Sequence, residues 1–586
     1  MINVKLDGKQ RRFNYSAWLM IALAIIVGVL GGLFAVLFRY MIDWSHNGFY
    51  GVGKILFGFL PGNLWIIMIP AIAGLVVGPL IYFFAREAKG HGVPEVMESV
   101  ALKGGRMRMR VIFVKAIASA SSIGAGASVG REGPIIQMGS GIGSVLGQWF
   151  KLKEDKVKML VACGAAAGIS ATFNAPIAGV MFSQEIILNN FTSSTFVPIV
   201  ISSVTASAVS RMFLGDTPAF LVQAFVLHSP IELIFYAVLG IISAVIAFVF
   251  VKTLYATEDF FDAIKAIPEW LKPVFGGLMI GLIGLKFPQV LGVGYESIGK
   301  ALNGQFVMGT LLMLVIVKLL ATSLTLGSGH SGGVFAPSLF AGAALGGAFG
   351  LLLKDVFPAI VGNPGAYAIA GMGAVVAGAT QAPITAVLII FEMTRDYHIV
   401  LPLMIAVVFS TNVFAYLSRV YLQKGNIYTL KLLRRGVNLQ DGRDVNIMKL
   451  IKVSDVMSTP VEVVREDDKM ENVIQMMHDG KHNGFPTVND KGELAGIITL
   501  QDIRDIPVKG IMEILVSQIS SNKLVVIYPS KTIDDVFGIL QKYDIGHLPV
   551  VNPDNPKELI GILTRSDIVK AYDKEMISIA RNRSEA

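Results

Sequence analysis

Up to Lys424 the chain is a series of long apolar runs separated by short polar breaks. The runs Ala17–Phe38, Asn63–Phe84 and Leu233–Val251 contain no charged residue. The first two are 22 residues each. As helices they would extend about 33 Å at ~1.5 Å per residue, enough to cross a bilayer. Other apolar segments are interrupted by Gly or Pro: "GPIIQMGSGIGSVLGQWF" (Gly133–Phe150), "APIAGVMFSQEI" (Ala175–Ile186), "PVFGGLMIGLIGL" (Pro273–Leu285) and "APITAVLIIFEMT" (Ala382–Thr394). These predict helices that stop inside the bilayer, which is tolerated only where they are buried in protein or line a cavity. After "LKLLRRGVNLQDGRDVN" (Leu430–Asn446) the pattern becomes that of an ordinary soluble α/β sequence, with β-rich runs such as "AGIITL" and "LIGILT" bounded by turn residues. The expected organisation is an all-α polytopic membrane domain at 1–440 and a soluble α/β domain at 441–586.

Each region repeats itself. "GAAAGISATFNAPIAGVMFSQE" (Gly164–Glu185) matches "GMGAVVAGATQAPITAVLIIFE" (Gly371–Glu392) at an offset of 207, and "ASVGREGP" (Ala127–Pro134) matches "HSGGVFAP" (His330–Pro337) at an offset of 203. Two similar halves with broken helices predict a transporter-type fold with its site at the repeat interface. Whether the halves are inverted depends on the parity of crossings, which broken helices obscure. In the tail, "NGFPTVNDKGELAGIITLQDIRD" (Asn483–Asp505) pairs with "IGHLPVVNPDNPKELIGILTRSDIV" (Ile545–Val569), each reading strand, turn, strand, short helix.

Composition agrees: 586 residues, 53% hydrophobic and only 16% charged, which is rare in a soluble protein. The first apolar run is too long for a signal-peptide core and no small-residue cleavage site follows it. Lys5, Lys9, Arg11 and Arg12 precede the first run, and Lys424, Lys431, Arg434 and Arg435 follow the last. Basic flanks predict that both termini are cytoplasmic, with an even number of crossings. These flanks account for the net charge of +8 without a nucleic-acid partner. The single cysteine, Cys163, excludes an internal disulfide or a Cys-based metal cluster and reads as a small buried residue.

The chemistry lies in "GHGVPE" (Gly90–Glu95), "GREGP" (Gly130–Pro134), "GGVFAP" (Gly332–Pro337) and the tyrosine of "KGNIYTL" (Lys424–Leu430). The first three place glycine for close backbone approach, then Pro near a helix start. A helix start exposes unpaired N–H groups and a partial charge of roughly +0.5. Several such ends aimed at one point hold an anion without a full positive charge, and so still release it. Glu132 stands at one of these ends. Its carboxylate can occupy the place the anion wants, and protonation would clear it. The plainer alternative is a helix-cap pair with Arg131.

Together these stretches resemble the CLC family of chloride channels and chloride/proton exchangers, and the paired tail repeats resemble CBS domains, at about 451–507 and 511–575. The resemblance spans nearly the whole chain. It implies a cytoplasmic CBS pair behind the membrane domain and a homodimer with one pore per subunit. It implies Glu132 as the gating residue, with Arg131 and Gly133 beside it in the anion path. Backbone amides of Val334 and Phe335 would be ligands of the central anion, and the Tyr428 hydroxyl a further ligand and part of the inner gate. Two departures stand out. His91, followed by Gly92, replaces the serine that would ligate chloride; its backbone can still do so, and a protonated imidazole would strengthen anion binding at low pH, unless the side chain turns away. Ile186 occupies the place where exchangers carry a second, cytoplasm-facing proton glutamate, so the reading leans to passive, channel-like conduction, with proton-coupled antiport the alternative. Glu185 and Glu392 match in the repeats and read as structural carboxylates.

In the CBS pair, Thr499/Asp502 and Thr564/Asp567 have the spacing of residues that bond nucleotide phosphate or ribose, so ATP, ADP or AMP is an optional ligand and no cofactor is required. The linker after Tyr428 is short and basic, so tail movement could reach the inner gate. A CBS-regulated Mg²⁺ transporter would need several carboxylates along one route, whereas the deepest acids are Glu132, Glu185 and Glu392. No nucleophile–base set or metal-ligand spacing suggests an enzyme. The proline of "GREGP" and the attached tail favour the chloride branch over fluoride-selective relatives.

Overall fold

The computed structural model describes residues 8–220, 222, 225, 227–438, 447–449, 451–480, 482–504, 511–521 and 524–581, with side chains from 18 to 575. Lys5, the expected boundary at 440 and the 505–507 end of the first CBS repeat lie outside the described residues, as do the side chains of Lys9, Arg11 and Arg12. The chain forms two compact units, Met1–Arg434 and Arg435–Ala586.

The first unit is helical. Its first half runs α1 (Gly8–Phe57), α2 (Met68–Phe84), α3 (Val93–Leu102), α4 (Met109–Gly124), α5 (Glu132–Trp149), α6 (Glu154–Phe173), α7 (Pro176–Phe182) and α8 (Ser193–Leu214). The second half runs α9 (Glu232–Ala263), α10 (Lys272–Lys286), α11 (Tyr295–Leu302), α12 (Met308–Gly327), α13 (Phe335–Val356), α14 (Pro364–Thr380), α15 (Pro383–Thr394) and α16 (Val400–Tyr421), with α17 (Thr429–Arg434) closing the unit. Among the described residues, eight helices are long and apolar enough to cross a membrane. Large side chains such as Trp18, Ile234 and Tyr416 stay exposed, the kind of apolar surface a bilayer covers. The protein is a multi-pass membrane protein.

Two elements differ from the sequence expectation. The run from Ala17 predicts a 22-residue helix, but α1 extends over 50 residues, because no proline interrupts it before Pro61 and its second half packs on α4. There the His46 ring meets the Gly124 carbonyl at 3.1 Å. The run from Asn63 is not one helix either: a tight turn at Leu64–Ile67 precedes α2.

Each half is pinned by a glycine-on-glycine crossing. A side chain on Gly139 of α5 would come within 2.2 Å of the Gly164 carbonyl oxygen of α6, and one on Gly342 of α13 within 2.2 Å of the Gly371 carbonyl oxygen of α14. Small residues let helices approach this closely where no hydrophobic force drives them together. The halves are related by a local two-fold axis, which reciprocal contacts require. Gly130 N–H donates to Gly333 C=O (2.8 Å) and Gly333 N–H to Gly130 C=O (2.6 Å). Glu185 accepts from the N–H groups of Ile384 (3.2 Å) and Thr385 (2.8 Å) at the start of α15, while Glu392 accepts from those of Ile177 (3.0 Å) and Ala178 (2.7 Å) at the start of α7. Each carboxylate caps the other half's helix, as the structural reading expects. Cys163 is buried.

In the second unit, β1 (Val464–Arg465) pairs parallel with β2 (Gly484–Val488), which pairs antiparallel with β3 (Leu494–Thr499). β4 (His547–Asn552) pairs antiparallel with β5 (Asn555–Thr564). The expected strand–turn–strand–helix order holds in both repeats, but the closing helix of the second, Arg565–Arg581, is 17 residues long rather than short. β1 is too short for a periodicity signal. It exists because β2 offers it an edge, as Val550 of β4 does for Ile527.

Candidate functional site

Three of the glycine-rich stretches meet in the first unit. Besides the Gly130–Gly333 pair, Gly90 N–H donates to His330 C=O and Gly332 N–H to Gly90 C=O, both at 3.3 Å. Gly92 has φ +83° and turns the chain into α3. A side chain on Gly133 would sit 2.2 Å from the His91 carbonyl oxygen, so only glycine lets "GREGP" and "GHGVP" touch. The starts of α3, α5 and α13 therefore converge, and the first-turn N–H groups of such helices have no acceptor within the helix.

Glu132 opens α5 and is 1% exposed. It lies inside the protein, with the Ala336 N–H of the α13 first turn acting on its carboxylate. Val334 and Phe335 are both buried, with the Phe335 ring 5.8 Å from that of Phe173. Arg131 does not pair with Glu132. Its guanidinium reaches the Thr172 carbonyl at 3.4 Å and stands 5.1 Å over the Tyr295 ring. The plain Arg131–Glu132 cap is therefore not what forms.

Tyr428 is 1% exposed. Its turn is held by Asn426, whose side-chain oxygen accepts the Tyr428 N–H at 2.9 Å, and by Tyr255, whose hydroxyl donates to the Ile427 carbonyl at 3.0 Å. His91 is 4% exposed and its ring lies 5.9 Å from that of Tyr428, so the imidazole does not turn away from this group. Ile186 is buried in a widened helical turn, Ser183–Leu188, that continues α7 and packs on α3.

Two features escaped the sequence reading. Tyr295, the first residue of α11, donates its hydroxyl to Glu132 Oε1. The signal was present: "GVGY" (Gly292–Tyr295) repeats "GHGV" (Gly90–Val93) at an offset of 202. Lys115 and Lys318 are buried and repeat mates as well. Lys115 Nζ donates to the carbonyls of Ala88 (3.0 Å) and Gly90 (2.7 Å), and Lys318 Nζ to those of Val290 (2.9 Å) and Gly292 (3.0 Å). The lone lysine of each helix, set among apolar residues, was the clue.

In the CBS unit the Thr/Asp pairs bond within themselves. Thr499 N–H and hydroxyl both reach Asp502 Oδ2 at 2.7 Å, and Thr564 N–H and hydroxyl reach Asp567 Oδ2 at 2.9 and 2.8 Å. Thr532 and Asp535 form the same cap elsewhere in the unit. The T-x-x-D spacing is thus first a helix-start device, which leaves any ligand contact to other surfaces of the same residues.

The voltage-gated chloride channel family matches residues 73–415, and the CBS domain matches 453–509 and 516–574. A putative chloride channel protein ClcB-like of Ralstonia nicotianae is 33% identical over 66% of this chain and 91% of its own. An H(+)/Cl(-) exchange transporter ClcA of Yersinia pestis is 35% identical over 66% of this chain and 82% of its own. Among solved structures, a slow cyanobacterial Cl-/H+ antiporter superposes with a TM-score of 0.65 at 29% identity, covering 71% of this chain and 97% of that one. With its two-fold related helical halves and the CBS pair that follows them, the chain belongs to the voltage-gated chloride channel family, the CLC family.

Proposed function

We propose that the protein exchanges chloride for protons across the membrane, with Glu132 as both plug and proton carrier. The observation that carries this reading is the burial of Glu132 between the starts of α5 and α13, where unpaired N–H groups favour a negative charge. An anionic carboxylate and a chloride ion compete for that place. Protonation removes the competitor, so each proton taken up admits an anion. Val334 and Phe335 amides, with Gly133 and Gly92 backbone and the Tyr428 hydroxyl, hold the passing anion. Arg131 and His91 add positive charge at its edges, His91 when protonated. The similarity to a Yersinia pestis exchanger and a cyanobacterial antiporter supports coupling over passive conduction.

Passive conduction is the second reading, favoured by Ile186, since an aliphatic side chain cannot carry a proton. Coupled transport then needs another inner relay, and His91 beside Tyr428 supplies a titratable ring on the path. Reconstituting the protein into liposomes with an outward chloride gradient, while recording internal pH, separates the two. Uphill proton movement supports exchange; chloride flux with no proton movement rejects it. Both termini lie on the cytoplasmic side in this reading and the protein works as a homodimer with one path per subunit. The CBS pair takes an adenine nucleotide that modulates transport through the linker after Tyr428. Comparing transport with and without ATP, in full-length and tail-deleted protein, tests that regulation.

A further inference from the structure

We propose that Tyr295 is a latch on Glu132: its hydroxyl holds the ionised carboxylate in the closed position and lets go when the carboxyl group takes up a proton. This rests on the reading of Glu132 as a plug and adds the part that sets when the plug releases.

The contact is built rather than incidental. Tyr295 is the first residue of α11, the repeat mate of α3. Gly294 before it has φ +87°, matching φ +83° at Gly92, a conformation open to glycine. Lys318 clamps the carbonyls of Val290 and Gly292 upstream, as Lys115 clamps those of Ala88 and Gly90. The same backbone device that seats His91 beside Tyr428 in one half therefore seats Tyr295 against Glu132 in the other. Its ring is fixed on one side by Phe220, edge-on at 5.8 Å, and faced by the Arg131 guanidinium at 5.1 Å. The charged and titratable groups around the carboxylate are Arg131 on its own element, Tyr295 from α11, Lys318 from α12 and Tyr428 across the site. Of these, Tyr295 is the one whose side chain hydrogen-bonds it.

A phenol ordinarily titrates near pH 10, so the latch keeps its own proton and does not open by ionising. A bond from a neutral donor to a carboxylate is charge-assisted and weakens once the acceptor is neutral. Closed and ionised therefore stabilise each other, and protonation breaks the contact and frees the side chain together.

The test is chloride transport by the full-length protein in liposomes between pH 4.5 and 8.5, for wild type, Tyr295→Phe, Glu132→Gln and the double variant. Phenylalanine keeps the ring and its packing and removes only the hydroxyl. We expect the half-maximal pH of Tyr295→Phe to move up by about one unit, about tenfold in proton concentration, and the two Glu132→Gln proteins to be alike and pH-independent. A pH profile unchanged by Tyr295→Phe, with Glu132→Gln still flattening it, overturns the latch and leaves the plug standing. An equal change of rate in both backgrounds assigns Tyr295 to packing alone and overturns the latch. A profile unchanged by Glu132→Gln removes the plug and the latch with it. A second readout needs no transport: the pH at which the infrared band of the protonated Glu132 carboxyl appears should move by the same step in Tyr295→Phe, and a fixed band contradicts the proposal.

Discussion

At the scale of single residues, backbone and side chain divide the work. In the proposed path Val334 and Phe335 act through N–H groups that any residue except proline supplies, so Val334→Ile, which adds one methylene and keeps the N–H, should still transport chloride in liposome flux assays. His91 acts through its side chain. Its ring stands beside that of Tyr428, 5.9 Å away. His91→Ser should therefore change chloride affinity at a fixed pH while still transporting, because the GHGVP backbone remains. Anion binding measured by isothermal titration checks this; an affinity unchanged in His91→Ser would remove the imidazole from the path. The residue types were legible in "GHGVP", "GREGP" and "GGVFAP". That Arg131 leans onto Tyr295 rather than pairing with Glu132 was not, because the aromatic partner is 164 residues away in sequence.

At the scale of elements, the helix starts and their caps hold the two halves in register. Glu185 and Glu392 each accept two backbone N–H groups from the opposite half. Replacing either by Gln removes the charge and turns one of the two accepting oxygens into an NH2 donor that faces a backbone N–H, and should cost about 1–3 kcal/mol of stability, seen as a lower melting temperature in detergent with transport retained. Gly139→Val should do more damage, since its Cβ alone would lie 2.2 Å from the Gly164 carbonyl oxygen. Overpacking at such a crossing costs about 1–3 kcal/mol or more, and loss of monodisperse protein in size-exclusion chromatography is the expected outcome. A Gly139→Val protein as stable as wild type would show that α5 and α6 can part freely. Broken helices were readable from Gly and Pro within apolar runs. Their partners were not, because a helix that is apolar on all sides gives no face to orient.

At the scale of the whole molecule, the membrane unit and the CBS unit are separate compact units. In the CBS unit, burial holds His547 below the ordinary imidazole range, with nearby Asp567 opposing the shift. The unfolded chain takes up a proton as pH falls below about 6.5, before the folded unit does. The contribution of His547 is therefore intact above that pH and is lost as pH falls toward the lower folded value. The melting temperature of residues 435–586 expressed alone should drop between pH 7.5 and 5.5, and His547→Gln should shrink the drop; an equal drop in both would assign it to other groups.

The sequence by itself determined that the chain crosses a membrane repeatedly, that its helices break around glycine-rich starts, and that both regions are duplicated. Length, hydropathy and self-similarity are local or one-dimensional properties, and a linear reading captures them. Only the tertiary structure decided that the duplicated halves grip each other through reciprocal contacts between Gly130 and Gly333 and between Glu185 and Glu392 and their mates, and that Tyr295 faces Glu132. Such contacts join positions about 160 to 220 residues apart. What brings them together is two-fold packing of the halves, and no stretch of either half records that axis.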